Sequence, residues 1–274
     1  MFSIGQTFKK DRYTFNIYNH SLSIDDLQSA ICEMILDKKT LNYLFTGSID
    51  SKLDNRTILM LRRFIPDEFF FREKTVLEKW NSEQSIIDKG IEENNGYYSF
   101  FAEALMAYLN FKYLDNKLAF GIMSLNETLT DQHSGVDSCM FSRDYIVLGE
   151  AKFYKNFQQG KIQIINDFNS NSLINKMHSL YRSTVQSNII IKDINERTIK
   201  ITMEEFMNHK KILSGFILHN KCRRYSYFDI IDIKDISQIQ NCDIIFYHLP
   251  INDKKQLIKM IIKRALELIV YESR

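Results

Sequence analysis

A chain of 274 residues, 45% hydrophobic and 26% charged, is globular in composition and long enough for one large domain or two small ones. Its 36 lysines and arginines against 34 acids leave a net charge of +2, so any nucleic-acid surface must come from local clustering. Only 9 glycines and 2 prolines argue against long disordered linkers, and no apolar run approaches the roughly 20 residues that span a bilayer. The start, M-F-S-I-G-Q-T-F-K-K-D-R, lacks the apolar stretch of a signal peptide. Cys32, Cys139, Cys222 and Cys242 are too scattered for a zinc knuckle or a redox pair and read as reduced, packed thiols. These features predict a soluble cytoplasmic protein with no membrane attachment.

Residues 1–20 read as a β-type start and a polar loop. Ser23 is a candidate N-cap for a helix over Leu27 to Leu36. Residues 52–95 read as charged helical pieces, with a break at Gly90 and E-E-N-N-G; a boundary at 95 would set a mostly helical N-terminal part, a candidate partner-binding region, before a core over 96–274. A helix from Ser99 to Leu114 follows, then strands at Leu118–Leu125, Val136–Phe141 and Asp144–Phe153, the last two joined at Ser142-Arg143. Asn126 to Ser134 is a polar loop. Phe157 to Leu180 reads as one long helix or two, with Ile162, Ile165 and Phe168 at helical spacing. Further β-type runs lie at Ile189–Ile191, Ile199–Ile201, Ile212–Leu218, Tyr227–Ile233 and Asp243–Tyr247, before a final helix capped by Asn252 and ending near Tyr271. This order predicts an α/β core.

The chemistry-bearing stretch is G-V-D-S-C-M-F-S-R-D-Y-I-V-L-G-E-A-K-F-Y, Gly135 to Tyr154. Residues two apart on a strand share a side, so Glu150 and Lys152 project together with Ala151 opposite. Asp137 lies on the preceding strand. Two carboxylates and an ammonium at a strand end can hold a hard divalent cation and position a water against phosphate. The tripeptide alone is not selective, since it recurs at Asp37, Asp50, Asp115, Asp232 and Asp253. Context singles out Glu150: an apolar strand before it, an acid on the neighbouring strand, a helix after it. A solvated cross-strand ion pair is the plain alternative.

Glu103 is the one charge in F-F-A-E-A-L-M-A-Y-L, a helix apolar nearly all round and therefore expected to be buried. A buried carboxylate needs a cation or a metal, so Glu103 is either a structural salt-bridge partner, or a third metal-site carboxylate or an orienter of Lys152. His133, Gly135, Gln158, Gln159 and Gln163 flank the site, and a solvated loop or polar helix face explains each singly. Lys9, Lys10, Arg12, Arg62-Arg63, Lys210-Lys211 and K-C-R-R-Y-S-Y-F at 221–228 are candidate phosphate contacts or ordinary charged surface. No phosphate loop, H-E-x-x-H site or G-x-S-x-G elbow is present in the sequence, so the chain is not expected to hydrolyse ATP itself.

Asp137, Glu150-Ala151-Lys152 and Glu103 together resemble the PD-(D/E)xK nuclease superfamily. The fuller string, with F-A-E-A-L upstream, resembles the HamA/AbpA family, the nuclease subunit of the bacterial Hachiman antiphage system. The resemblance implies a restriction-endonuclease-like mixed β-sheet core flanked by helices, DNA as substrate and Mg²⁺ or Mn²⁺ as cofactor. It further implies a superfamily 2 helicase partner (HamB-like), in a heterodimer. It assigns the metal to Asp137, Glu150 and the Ala151 carbonyl, makes Lys152 the cation that steadies the attacking water, and adds Glu103 as a helix carboxylate. The chain departs from the pattern in having Val136, not proline, before Asp137. Two other functions stay open: a non-catalytic subunit regulating the helicase, and a stand-alone restriction-type endonuclease.

Overall fold

The computed structural model describes residues 1–10, 13–38, 40–41, 56–66, 69, 73–93, 96–120, 138–142, 144–154, 156–168, 175, 191–192, 198–199, 204, 208–220 and 242–273. The chain opens on an antiparallel hairpin, β1 (Phe2–Lys10) and β2 (Tyr13–His20). The second strand falls where a polar loop is expected. Its alternation is the cause: Phe15 and Ile17 turn to one face of the sheet and Tyr18 to the other, and all three are buried. Four helices follow, α1 (Ile24–Leu36), α2 (Arg56–Arg62), α3 (Glu73–Glu78) and α4 (Gln84–Glu93). Ser23 caps α1 as expected, its side chain accepting from the Asp26 amide at 3.2 Å. Gly90 breaks nothing and lies inside α4.

Helix α5 (Gly96–Leu109) ends in a single π turn over Asn110–Leu114. Then come β3 (Ala119–Phe120), β4 (Ser138–Phe141), β5 (Tyr145–Tyr154) and α6 (Phe157–Asp167). A small separate pair, β6 (Ile191–Lys192) with β7 (Thr198–Ile199), precedes β8 (Lys210–Asn220), β9 (Cys242–Ile251) and α7 (Lys254–Glu272). The cap of α7 is Asp253 rather than Asn252; its carboxylate accepts from the Lys255 amide at 2.8 Å, while the Asn252 side chain donates to Asp25. The Tyr227–Ile233 run lies outside the described residues.

The protein is a mixed α/β structure. Its main sheet runs β1-β2-β9-β8-β5-β4-β3, with β2, β9, β8 and β5 parallel and both flanks antiparallel. The central strands β8 and β9 are apolar almost throughout, as strands buried on both faces must be. One face carries Tyr18, Val147, Ala151, Phe216, Leu218, Ile245 and Tyr247 and packs on α1, α5 and α7. The other carries Phe15, Ile146, Leu148, Leu213, Ile217 and Phe246 and receives α6. Residues on both sides of position 95 share this sheet and one core: Leu27, Ile31 and Ile87 pack with Phe101, Leu105 and Ile258. No described helix is long and apolar enough to cross a membrane. Cys32, Cys139 and Cys242 are buried free thiols, and burial pushes Cys32 and Cys242 up to about 12, which suppresses the thiolate.

On the α6 face, near the carboxyl ends of β8 and β9, two histidine rings meet. His219 and His248 have centroids 4.6 Å apart, and the Phe157 ring lies against both. Burial lowers both titrations; His248 falls to about 3, with His219 and His20 as further causes. The folded state therefore holds His248 neutral where the unfolded chain, with its usual value of 6.5, takes a proton. This stability is fully present above the unfolded value and is lost as pH falls from there toward the folded one. Between about pH 7.5 and about 5, His248→Gln is expected to lose less stability than the parent chain, by about 2 kcal/mol. Equal losses in denaturant titrations at both pH values would show that the ring is not held neutral.

Candidate active site on the α6 face of the sheet

Strand alternation sets the site. The register pairs Glu150 with Gly215 and Lys152 with Ile217, all on the α6 face, while Ala151 pairs with Phe216 on the opposite face. Glu150 and Lys152 thus project together, as the sequence predicts. Glu150 is 2% exposed, so it is not the solvated partner of a surface ion pair. Its Oε2 lies 3.4 Å from Lys152 Nζ.

The shorter contact of Lys152 is one that sequence reading misses: Nζ lies 2.7 Å from Asp167 Oδ2. Asp167 is the last residue of α6, 15 positions along the chain from Lys152. Asn156 starts that helix, its side chain accepting from the Gln159 amide at 2.9 Å. An Asn directly before an apolar helical repeat is a readable cap signal; Asp167 has no comparable signal, because only the chain's reversal brings it to Lys152.

The seating of α6 also differs from expectation. Ile162 is 48% exposed, and the buried face is Phe157, Gly160, Lys161, Ile164, Ile165 and Phe168. A second cation, Lys161, therefore enters the interior on this face, 2% exposed. Gly160 permits the close approach: a Cβ there would stand 2.8 Å from Ile217 Cγ2. Gln158 turns a buried Oε1 inward with no hydrogen-bond partner among the described residues, while Gln159 is exposed and Gln163 half-buried.

Glu103 lies on α5, which packs on the other face of the sheet, the face of Ala151 and Val147. Asn110 fixes the C-terminal end of that helix, accepting from Ser214 Oγ at 2.8 Å, while Tyr247 Oη donates to the Leu109 carbonyl at 3.2 Å. Glu103 lies about two turns back from Asn110 and so on the same sheet-facing side, where it is half-buried. Asp137 lies outside the described residues, as do His133 and Gly135; Ser138, next in the chain, pairs with Gly149.

The competing tripeptides have structural occupations. Asp37 accepts from the Thr40 amide at 3.3 Å, Asp115 accepts from the Tyr145 hydroxyl at 2.6 Å and the Lys117 amide at 2.8 Å, and Asp253 caps α7. Asp50 and Asp232 lie outside the described residues. Of the basic clusters, Lys210 is paired with Asp243 at 2.5 Å and Arg62 with Glu73 at 3.0 Å, and burial lowers the titration of Lys211. Arg12 and residues 221–228 lie outside the described residues.

Comparison with protein-family models, with curated proteins and with solved structures gives no match.

The neighbour of Glu150 on β8 has to be glycine. A Cβ at 215 would overlap the Phe246 ring, which occupies that space from β9. Gly215→Ala is therefore expected to cost about 1–3 kcal/mol by overpacking, read as a fall in thermal midpoint. An unchanged midpoint would show that the ring moves aside freely and does not wall the site.

Proposed function

We propose that this chain is a metal-dependent deoxyribonuclease with a restriction-endonuclease-like core, akin to the HamA/AbpA family, and that it acts with and is restrained by a partner helicase. The observation that carries the reading is the enclosed carboxylate of Glu150 with the ammonium of Lys152 beside it, under α6, in the C-terminal half of a parallel strand. Ligand sites in open α/β sheets favour the carboxyl ends of strands.

Hard oxygen donors suit Mg²⁺ or Mn²⁺. Among the described residues no three carboxylate, histidine or cysteine groups gather that could hold a metal. The proposed set is Glu150, the Ala151 carbonyl and Asp137, which directly precedes Ser138. When bound, the cation would polarise the scissile phosphate and acidify a coordinated water. Glu150 would hold the cation through its carboxylate. Lys152 holds the attacking water by hydrogen bond and offsets negative charge as it develops on the phosphoryl oxygens. The compact, three-donor ammonium is suited to both tasks. The resemblance gives Glu103 as a further helix carboxylate or an orienter of Lys152; it lies half-buried on α5, which packs on the opposite face of the sheet, and is left outside the proposed metal set.

The test is DNA degradation with Mg²⁺, the helicase and ATP present. Glu150→Ala and Lys152→Ala are each expected to cut cleavage by about 100-fold or more. Cleavage retained in both rules this site out. A chain with a net charge of only +2 is also expected to degrade DNA slowly without the helicase. Brisk digestion by the isolated chain contradicts the restraint, and discrete product bands point to a sequence-specific endonuclease instead.

A further inference from the structure

Lys152 makes its shortest described contact with Asp167, at 2.7 Å, against 3.4 Å to Glu150. Three observations set Asp167 apart from a chance ion pair. First, both partners are only 22% exposed, so the pair is shielded from the solvent that weakens surface bridges. Second, Asp167 ends α6, where the helix dipole disfavours a carboxylate by about 0.3–1 kcal/mol; an acid there needs a cation to offset that cost. Third, the opposite end of α6 is anchored, through the Asn156 cap and Phe157 against His219 and His248, and Gly160 seats its middle on Ile217. The carboxylate is therefore delivered by a helix fixed along its length and not by a mobile loop.

We propose that Asp167 is a positioning residue that clamps the Lys152 ammonium at the end of β5. The role rests on the nuclease reading, because it acts through Lys152 and not on substrate. Its chemistry is specific. Without a second anion, an ammonium beside Glu150 would be repelled whenever a divalent cation took up that carboxylate. Asp167 supplies a counter-ion on the far side, so the Lys152 side chain keeps its place while Glu150 serves another partner. The carboxylate of Asp167 and the negative end of α6 act on it together. No bond is made or broken at Asp167.

The experiment uses the full chain labelled with ¹⁵N-lysine, first without metal and then with the helicase, Mg²⁺ and DNA. A clamped ammonium exchanges its protons slowly and gives a Lys152 Nζ–H cross-peak, assigned by its loss in Lys152→Arg. Asp167→Asn is expected to erase that cross-peak and to lower kcat by about tenfold or more with KM little changed, while Asp167→Glu restores both in part. Thermal unfolding of each variant separates this from loss of fold. A cross-peak that survives in Asp167→Asn overturns the clamp, whatever the cleavage does. A cross-peak lost with Asp167, in a chain that cleaves no DNA in any form, keeps the clamp and removes the nuclease reading.

Discussion

Burial of the parallel strands on both faces is the constraint from which the rest follows. A residue on β5 has two directions to point, one toward α5 and one toward α6, and both are covered. Period-two alternation therefore sorts Val147 and Ala151 from Ile146, Leu148, Glu150 and Lys152. A slip of one residue would move Glu150 into the apolar packing beneath α5, among Phe216, Leu218 and Tyr247. The apolar alternation of β5 and β8 forbids that slip, so the register that builds the core also aims the site.

A carboxylate enclosed as Glu150 is has lost most of its hydration and depends on the charges around it. Lys152 provides one; Lys161, on α6, is a second cation buried on this face of the sheet. Such an arrangement is a poor stabiliser by itself, since an ion pair in a covered place seldom outperforms well-packed apolar groups. Its enclosure within an otherwise apolar strand is what distinguishes it from the ordinary pairs elsewhere, such as Arg264 with Glu33 at 3.1 Å, where the acid is largely in solvent. The other Asp-x-Lys tripeptides within the described residues follow the same logic in reverse: each acid there is taken up by a backbone amide or a hydroxyl and serves a cap or a turn.

What was legible in the sequence was local and periodic. The Ser23 cap, a helix over Ser99 to Leu114 (though not the π turn at Asn110–Leu114 that ends it) and the strands β4, β5, β8 and β9 all announce themselves through alternation or helical spacing. So did the shared direction of Glu150 and Lys152, because it depends on two residues of one strand. The hairpin partner β2 was masked by its Asn and Tyr content, although Phe15 and Ile17 alternate correctly. In α6 the periodic reading chose Ile162 over Lys161; a lysine at a core position looks like a break in an apolar stripe, and only the packing shows which stripe faces inward. Asp167, Gly215 and the His219–His248 pair could not be read at all. Each acquires its role from a residue on another element, brought near by the crossover connection and not by spacing in the chain.

Helix α6 ties these long-range features together. The register places Lys152, Ile217 and His248 in one row across β5, β8 and β9. The helix meets that row in reverse order, with Phe157 at the His248 ring, Gly160 at Ile217 and Asp167 at Lys152. Two strand spacings cover about 9.6 Å, and the ten steps from Phe157 to Asp167 rise about 15 Å, the excess being taken up by side-chain reach and tilt. A helix one turn shorter would lose the ion pair, and one shifted by a turn would bring a larger residue than glycine onto Ile217. The length of α6, the glycine in its middle and the acid at its end are thus one fitted set, and the row of side chains beneath it is what they fit.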